Sequence, residues 1–220
     1  MNRVLMFDLD GTLVDSRDAV IESVAHTAEH FAPGQFSREE LVSRFGESFD
    51  DFLMDVALAA GKLDKSEVLS HYFAHVRAHL EDHATLFTGV RDGLEQLKAA
   101  GYQLAIVTNK QREFAVATLE LAGIAGLFDA VVAVDDVARG KPSAEPLQKA
   151  LQELDKQPWE AVMIGDSRFD VLASKAAGVP AVVLEWYGRE EWTNANPDKR
   201  FPDFQTFAFE MLTVKTKAGG

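Results

Sequence analysis

Short apolar segments alternate with longer amphipathic segments along most of the chain. The apolar segments are rich in Val, Ile and Leu, and their length is typical of strands buried on both faces. They predict five strands, at residues 4–8, 103–108, 130–134, 161–165 and 181–184. Four helical patterns lie between the later strands, at residues 90–100, 113–122, 144–154 and 168–177. Alternation of strand and helix predicts an α/β fold with a parallel sheet and right-handed crossovers.

The first two strands are separated by about ninety residues, far more than one crossover requires. This interval contains two series of large apolar residues at helical spacing and no convincing strand. The series are Leu41, Phe45, Phe49, Phe52, Leu53 and Val56, then Val68, Leu69, Tyr72, Val76 and Leu80. We therefore expect an all-helical subdomain at residues 17–82, inserted into a core formed by residues 1–16 and 83–220.

Composition narrows the functional classes. The net charge of −13 argues against nucleic-acid binding, which is typically accompanied by a basic stripe, and against adhesion to anionic membranes. No apolar run approaches the ~20 residues needed to span a bilayer, and the N-terminus has no basic-then-apolar leader. The chain has no cysteine, which excludes disulfides and thiolate chemistry. We expect a cytoplasmic protein.

Polar residues cluster where the predicted strands end. Ligands of open parallel sheets bind at the carboxyl ends of the strands, so these residues are candidates for one site. They are Asp8, Asp10 and Gly11 after the first strand, Thr108 and Asn109 after the second, Lys141 beyond the third, and Asp166 and Asp170 after the fourth.

Asp8 and Asp10 pose a specific electrostatic question. In extended chain their side chains point to the same side, where two carboxylates repel each other. An Asp- and Gly-rich turn explains the pair equally well when it is taken alone. Together with Asp166 and Asp170, however, the pair favours a site for Mg²⁺, which prefers oxygen ligands and shares phosphate oxygens with carboxylates.

This arrangement suggests phosphoryl-transfer chemistry. One carboxylate can act as a nucleophile and form an aspartyl phosphate, while another serves as acid and base. Thr108 and backbone amides near Leu9, Asp10 and Asn109 can donate to phosphate oxygens, and Lys141 can stabilise the transition state.

Four stretches of the sequence, FDLDGTLVDS, IVTN, RGKP and IGDSRFD, resemble in order and spacing the four motifs of the haloacid dehalogenase-like hydrolase superfamily. The resemblance covers nearly the whole chain. It implies a Rossmann-like parallel-sheet core in which a helical cap, inserted after the first motif, closes over the site and selects the substrate.

The resemblance also implies roles for individual residues. Asp8 would be the nucleophile and a Mg²⁺ ligand, and Asp10 would be the acid/base, with its backbone carbonyl on the metal. Thr108 and Lys141 would bind the phosphoryl group. Asp166 would bind Mg²⁺, and Asp170 would bind it or support the site.

Two residues indicate a branch of the superfamily. Dehalogenases lack an aspartate at the position of Asp10, and sugar-phosphate mutases usually carry Glu where this chain has Gly165. Both differences favour a phosphatase, and the chain resembles phosphoglycolate phosphatases and a related pyrophosphatase group. We expect hydrolysis of a small phosphorylated metabolite by a monomer or homodimer. An inorganic pyrophosphatase, a mutase and a non-catalytic binding module are the competing hypotheses.

Three more features allow weaker expectations. Arg44 and Gly46 lie where capped phosphatases often place a substrate-facing turn, and an ordinary helix connection is equally consistent. All six histidines lie in or next to the insertion, at four-residue spacings. Because such a series drifts around a helix, we expect a solvated face and no zinc site. The aromatic segment 200–209 predicts a docked C-terminal helix.

Overall fold

The computed structural model describes residues 4–45, 49–62, 64–188 and 194–218. Within these residues, six strands form one sheet in which every neighbouring pair is parallel. The strands are β1 Val4–Phe7, β2 Gln103–Val107, β3 Ala130–Val132, β4 Ala161–Gly165, β5 Ala181–Leu184 and β6 Lys199–Phe201. Their spatial order is β3-β2-β1-β4-β5-β6. The predicted α/β class with a parallel sheet is confirmed.

The described helices fall into two groups. Four lie between β1 and β2: α1 Arg17–Phe31, α2 Arg38–Ser43, α3 Phe49–Ala59 and α4 Ser66–Ala78, followed by a 3-10 turn at Leu80–His83. Five accompany the remaining strands: α5 Val90–Ala99, α6 Arg112–Leu121, α7 Glu145–Glu153, α8 Arg168–Ala177 and α9 Phe204–Ala218.

A hydrophobic core covers each face of the sheet, and β1 is therefore buried completely. Leu5 and Phe7 point to a cluster that α5 and α9 cover, whereas Val4 and Met6 point to a cluster that α7 and α8 cover. β1 pairs in register with both neighbours, so that Phe7 lies opposite Ile106 of β2 and Ile164 of β4. The carboxyl ends of these three strands therefore meet at one edge.

The C-terminal region differs from its prediction. Residues 199–201 form a sixth strand, so a helix beginning at residue 200 is wrong; the helix begins at Phe204. β6 escapes detection because two of its three residues, Lys199 and Arg200, are exposed and charged, so it lacks the apolar run that marks the equally short β3. The docking itself is observed, since the rings of Phe204 and Phe207 lie 5.8 and 6.0 Å from that of Phe7.

The four helices between β1 and β2 share a hydrophobic cluster of their own. Leu53 and Val56 of α3 and Tyr72 of α4 are buried in it. Phe114 of α6 also belongs to this cluster, and the side chains of Arg77 and Glu113 join the two groups of helices by paired hydrogen bonds of 3.0 Å. No helix in the described ranges is long and apolar enough to cross a membrane.

The close packing of α5 on α9 provides a test of the fold. A Cβ on Gly93 would lie 2.6 Å from the Phe204 ring. We expect Gly93→Ala to lower the free energy of unfolding by about 1–3 kcal/mol because the core is overpacked there, despite a gain in helix propensity of about 1 kcal/mol. Urea unfolding measures the change. Gly126→Ala is the matched control because nothing lies within 4 Å of its Cβ position, and an equal loss in both variants would contradict the packing argument.

Candidate active site

The edge formed by β1, β2 and β4 gathers polar residues. Asp8 follows β1 and donates its backbone N–H to Ile164 O at 2.9 Å, which continues the pairing with β4. Thr108 follows β2 in the same way, donating to Val132 O at 2.9 Å. Asp166 follows β4 directly, and all three side chains are buried. The parallel register thus brings together residues that are up to 158 positions apart, from Asp8 to Asp166.

Lys141 lies between two of the carboxylates. Its Nζ is 2.9 Å from Asp8 Oδ1 and 2.6 Å from Asp170 Oδ1, and the lysine side chain is only 1% exposed. Asn109 fixes the lysine backbone, since its side chain donates to Lys141 O at 2.9 Å and accepts from Lys141 N at 2.8 Å. Asn109, which we expected to bind substrate, thus holds Lys141 through its side chain.

Hydrogen bonds orient the two acids that follow β4, one at the start of α8 and one from the turn after β1. Asp170 Oδ2 accepts hydrogen bonds from Ser167 N at 3.1 Å and from Ser167 Oγ at 2.7 Å. Asp166 Oδ1 accepts from Thr12 Oγ1 at 2.9 Å. Each acid therefore has at least one oxygen fixed by a neighbouring residue.

A divalent cation fits this set of residues. Oxygen atoms of Asp8, Asp166 and Asp170 lie within 4.8 Å of one another, which makes them the one metal-ligand group of this kind in the described part of the chain. When all three are ionised, Lys141 leaves two negative charges uncompensated, which is the charge of one divalent cation. Carboxylate oxygens suit a hard ion such as Mg²⁺.

The turn after β1 also requires its glycine. Gly11 has a φ of +78°, a conformation that glycine adopts without strain. A Cβ at this position would lie 2.5 Å from Asp166 Oδ2. Gly11 therefore lets the backbone pass directly beside the carboxylate cluster.

Asp10 is separated from that cluster, contrary to our expectation that its side chain and that of Asp8 share one cation. Its two oxygens accept from Lys110 Nζ at 2.8 and 3.1 Å, and Oδ1 also accepts from Ser16 Oγ at 2.6 Å. Lys110 therefore offsets the charge of this carboxylate. The role of the Asp10 backbone carbonyl as a ligand stays a prediction.

The two aspartates differ in acidity as a result. Burial raises the pKa of Asp8 to about 7, even though Lys141 acts to lower it, and the nearby Asp170 adds to the rise. Burial also acts to raise the pKa of Asp10, but Lys110 and Ser16 more than offset it, so this pKa lies below its ordinary value. Burial acts to lower the pKa of Lys141, but the negative charges of Asp170 and Asp8 have the larger effect. The pKa of Lys141 is therefore raised.

Our sequence reasoning missed two residues that lie close to Asp10. Lys110 is buried, and so is His83, which ends the 3-10 turn after α4. Both line a small cavity beside Asp10. Burial, assisted by the charge of Lys110, lowers the pKa of His83 to about 4, so its ring is neutral at pH 7. Lys110 directly follows IVTN, and that adjacency was the one signal available in the sequence.

The remaining candidates belong to the region of the inserted helices. Arg44 pairs with Asp55 at 2.9 Å and stacks over the Phe52 ring at 4.4 Å, contacts that lie among the inserted helices. Gly46 is outside the described residues. Five histidines from α1, α4 and its C-cap stack in series, with ring centroids 4.3–5.0 Å apart: His30, His71, His26, His75 and His79. Each is exposed or half-buried, and the absence of a zinc site there stays a prediction.

Comparison with known proteins identifies relatives of the whole chain. A family model described as haloacid dehalogenase-like hydrolase matches residues 5–184. Pyrophosphatase PpaX of Bacillus velezensis is 40% identical over 182 residues, which are 83% of this chain and 82% of that protein. Pyrophosphatase PpaX of Bacillus pumilus is 38% identical over 201 residues, 88% of this chain and 89% of that protein.

Solved structures show the same fold. A crystal structure described as a predicted phosphoglycolate phosphatase from Haemophilus somnus has a TM-score of 0.83 and 25% identity, covering 96% of this chain and 98% of that one. A β-phosphoglucomutase from Clostridium difficile has a TM-score of 0.84 at 17% identity, covering 99% and 98% of the two chains. At that identity, the second likeness concerns the fold alone.

The raised pKa of Asp8 predicts how a divalent cation should stabilise the protein. Since Asp8 keeps its proton up to about pH 7 when folded, metal-free stability should fall as the pH rises from its ordinary pKa toward 7. A cation must displace that proton, so its apparent affinity should be roughly 100-fold weaker at pH 5 than above pH 7. We expect Mg²⁺ to raise the Tm more at pH 8 than at pH 5.

Thermal unfolding with and without Mg²⁺ at both pH values measures this effect. Asp8→Asn is the informative variant because it has no proton for the cation to displace, and the pH dependence of any remaining Mg²⁺ effect should shrink. Equal Mg²⁺ shifts of the wild-type Tm at pH 5 and pH 8 would contradict the assignment of Asp8 as a ligand.

Proposed function

The chain belongs to the haloacid dehalogenase-like hydrolase family, and from this premise we propose that it is a Mg²⁺-dependent phosphatase that works through a phosphorylated Asp8. One observation carries the proposal. Asp8 is buried at the end of β1, where it contacts Lys141 and is grouped with Asp166 and Asp170. Asp10 lies apart from this group and pairs with Lys110. Two carboxylates with separate environments are suited to two separate roles.

In the first step, an oxygen of Asp8 attacks the phosphorus and the leaving group departs on the opposite side. Leu9 N donates a hydrogen bond to Asp8 Oδ1 at 2.8 Å, and Lys141 Nζ contacts the same oxygen. The other carboxylate oxygen of Asp8 therefore remains for the attack. Lys141 also stabilises charge on the phosphoryl oxygens. Thr108 is placed at the end of β2 to donate a hydrogen bond to them.

Asp8, Asp166 and Asp170 would hold the Mg²⁺ ion. When bound, the ion supplies positive charge that offsets the carboxylates and draws the phosphoryl oxygens toward Asp8. The protein residues perform the remaining chemistry.

In the second step, water attacks the phosphorus and the bond to Asp8 breaks, which restores the carboxylate. Asp10 accepts the proton that the water loses. Its lowered pKa keeps it ionised at neutral pH and therefore able to act as a base. The helices α1–α4 would form a cap, as proposed for residues 17–82, and exclude bulk water during the reaction.

Pyrophosphate is the substrate best supported. Relatives up to 40% identical are named pyrophosphatases. The ionised state of Asp10 also favours pyrophosphate. An alcohol leaves only when it receives a proton, whereas phosphate is a weak base that leaves as an anion. An ionised Asp10 paired with Lys110 suits the second kind of leaving group. Phosphoglycolate, our expectation from sequence, is the second candidate, supported by a structural likeness at 25% identity.

Mutase activity and a non-catalytic role receive less support. A mutase of this superfamily usually has Glu at the position of Gly165, where even a Cβ would lie 2.3 Å from Asp170 Cγ. A non-catalytic module would not require a buried lysine beside the nucleophile, since burying such a charge is costly.

Asp8→Asn tests the nucleophile. We expect Mg²⁺-dependent phosphate release to fall by at least about 10³-fold, because the amide cannot form the phosphorylated intermediate. A phosphate assay over pyrophosphate, phosphoglycolate, nucleotides and sugar phosphates measures the loss, with EDTA as the metal control. Asp18→Asn is the matched variant, since that side chain is 96% exposed. Wild-type rates in Asp8→Asn would refute the mechanism.

Asp10→Asn separates the two substrates. Formation of the phosphoenzyme should change little with pyrophosphate, whose leaving group needs no proton. With phosphoglycolate, whose leaving alcohol needs a proton, the reaction depends on the small protonated fraction of Asp10, so it should slow by about 10²- to 10⁴-fold, the usual contribution of a general acid. Rapid-quench kinetics measure both rates. Equal slowing with both substrates would remove the argument that favours pyrophosphate.

A further inference from the structure

A small cavity adjoins Asp10 on the side of the inserted helices. Its volume is about 20 Å³, which is room for one water molecule. Its polar lining includes Asp10, Lys110 and His83 as well as Tyr72, Asn109 and Gln111, and apolar side chains such as Val76 and Phe114 form much of the rest. A buried water needs two to four polar partners, and Asp10, Lys110 and His83 can supply them.

His83 has an unused hydrogen-bonding atom in this region. The residue is 1% exposed, and its Nδ1 is buried with no hydrogen-bond partner among the described residues. The other ring nitrogen, Nε2, lies 3.5 Å from Ser23 Oγ. Because the two nitrogens point in different directions, Nδ1 faces away from Ser23.

The hydrogen bonds of Ser23 indicate which nitrogen carries the proton. Its hydroxyl donates its single hydrogen to Ala19 O at 2.9 Å. In that arrangement the ring nitrogens near Ser23 Oγ, Nε2 of His83 and Nδ1 of His75 at 3.1 Å, act as donors to it. The pKa of about 4 agrees with a neutral ring. A neutral His83 with its proton on Nε2 presents Nδ1 as an acceptor.

The reaction geometry indicates what this acceptor receives. Since phosphoryl transfer is in line, the leaving group departs opposite Asp8, and the water that later attacks must arrive from that same side. Asp10, the proposed base, and Asn109 from the end of β2 both line the cavity. A water held there lies beside the group that must take its proton.

We propose that His83 positions the attacking water by accepting a hydrogen bond at Nδ1, a role that rests on the proposed Asp8 phosphoenzyme. One hydrogen of the water is directed to Asp10, which receives it as a proton, and the other is directed to His83, which only accepts a hydrogen bond. The water oxygen forms a bond to phosphorus, and the bond between phosphorus and Asp8 breaks. The products are inorganic phosphate and the Asp8 carboxylate, with the proton on Asp10.

The test measures the two steps separately with ³²P-labelled pyrophosphate and rapid acid quench. His83→Leu removes the acceptor, whereas His83→Asn retains an oxygen near the position of Nδ1. We expect phosphoenzyme formation to be unchanged in both variants. Hydrolysis of the phosphoenzyme should slow by about 10- to 100-fold in His83→Leu, the effect of one lost hydrogen bond, and recover to within about 3-fold of wild type in His83→Asn.

Several outcomes would overturn the inference. Phosphoenzyme hydrolysis at the wild-type rate in His83→Leu would show that Nδ1 does not hold the water. Equal slowing in the Leu and Asn variants would assign the effect to packing. His79→Leu, which changes an exposed histidine beyond α4, should leave both steps unchanged.

A measurement on the unmutated protein avoids any effect of the variants on folding. Long-range ¹H–¹⁵N NMR distinguishes the two neutral tautomers of histidine. We expect the His83 proton on Nε2 at pH 7, and a proton on Nδ1 would overturn the proposal. Failure of the proposed function is distinguishable, because the wild type would then form no phosphoenzyme and release no phosphate from pyrophosphate or any other substrate.

Discussion

The site depends on the contacts that the buried ammonium group of Lys141 makes with two carboxylates. Three carboxylates at one sheet edge repel each other and lose hydration, and the lysine offsets this cost by contacting Asp8 and Asp170 directly. A lysine can do this only if its backbone is fixed, and the paired hydrogen bonds from Asn109 fix it. The negative charge that remains equals that of one divalent cation, so the proposed metal site would arise from incomplete neutralisation within the fold.

A second lysine makes the environment of Asp10 different from that of Asp8. Lys110 holds the Asp10 carboxylate away from the cluster and keeps it ionised, whereas burial raises the pKa of Asp8. Two aspartates separated by one residue thus acquire different acidities, which is how enzymes assign different roles to identical side chains. The same lysine contributes to the neutrality of His83, so one buried charge influences both groups beside the cavity.

The inserted helices act on the chemistry through a few contacts. Phe114 and the Arg77–Glu113 pair join them to the sheet domain, and the turn after α4 places His83 beside Asp10. The cavity beside Asp10 has room for one water, so in the proposed reaction anything larger reaches Asp10 from this side only when these helices move apart. The selection of substrate and the exclusion of bulk water would then depend on the same motion.

The sequence by itself determined strands β1 to β5, the helices between β1 and β2, and the cluster at the strand ends. Buried parallel strands require uninterrupted apolar runs, and their register brings the residues that follow them to one edge. It did not determine β6, whose three residues carry no such run, or the separation of Asp10 from Asp8. Lys110 and His83 are 100 and 73 residues from Asp10 along the chain. Apolar periodicity is a local signal, whereas the partner of a buried charge is decided by which distant side chains the packed helices and sheet bring within hydrogen-bonding distance.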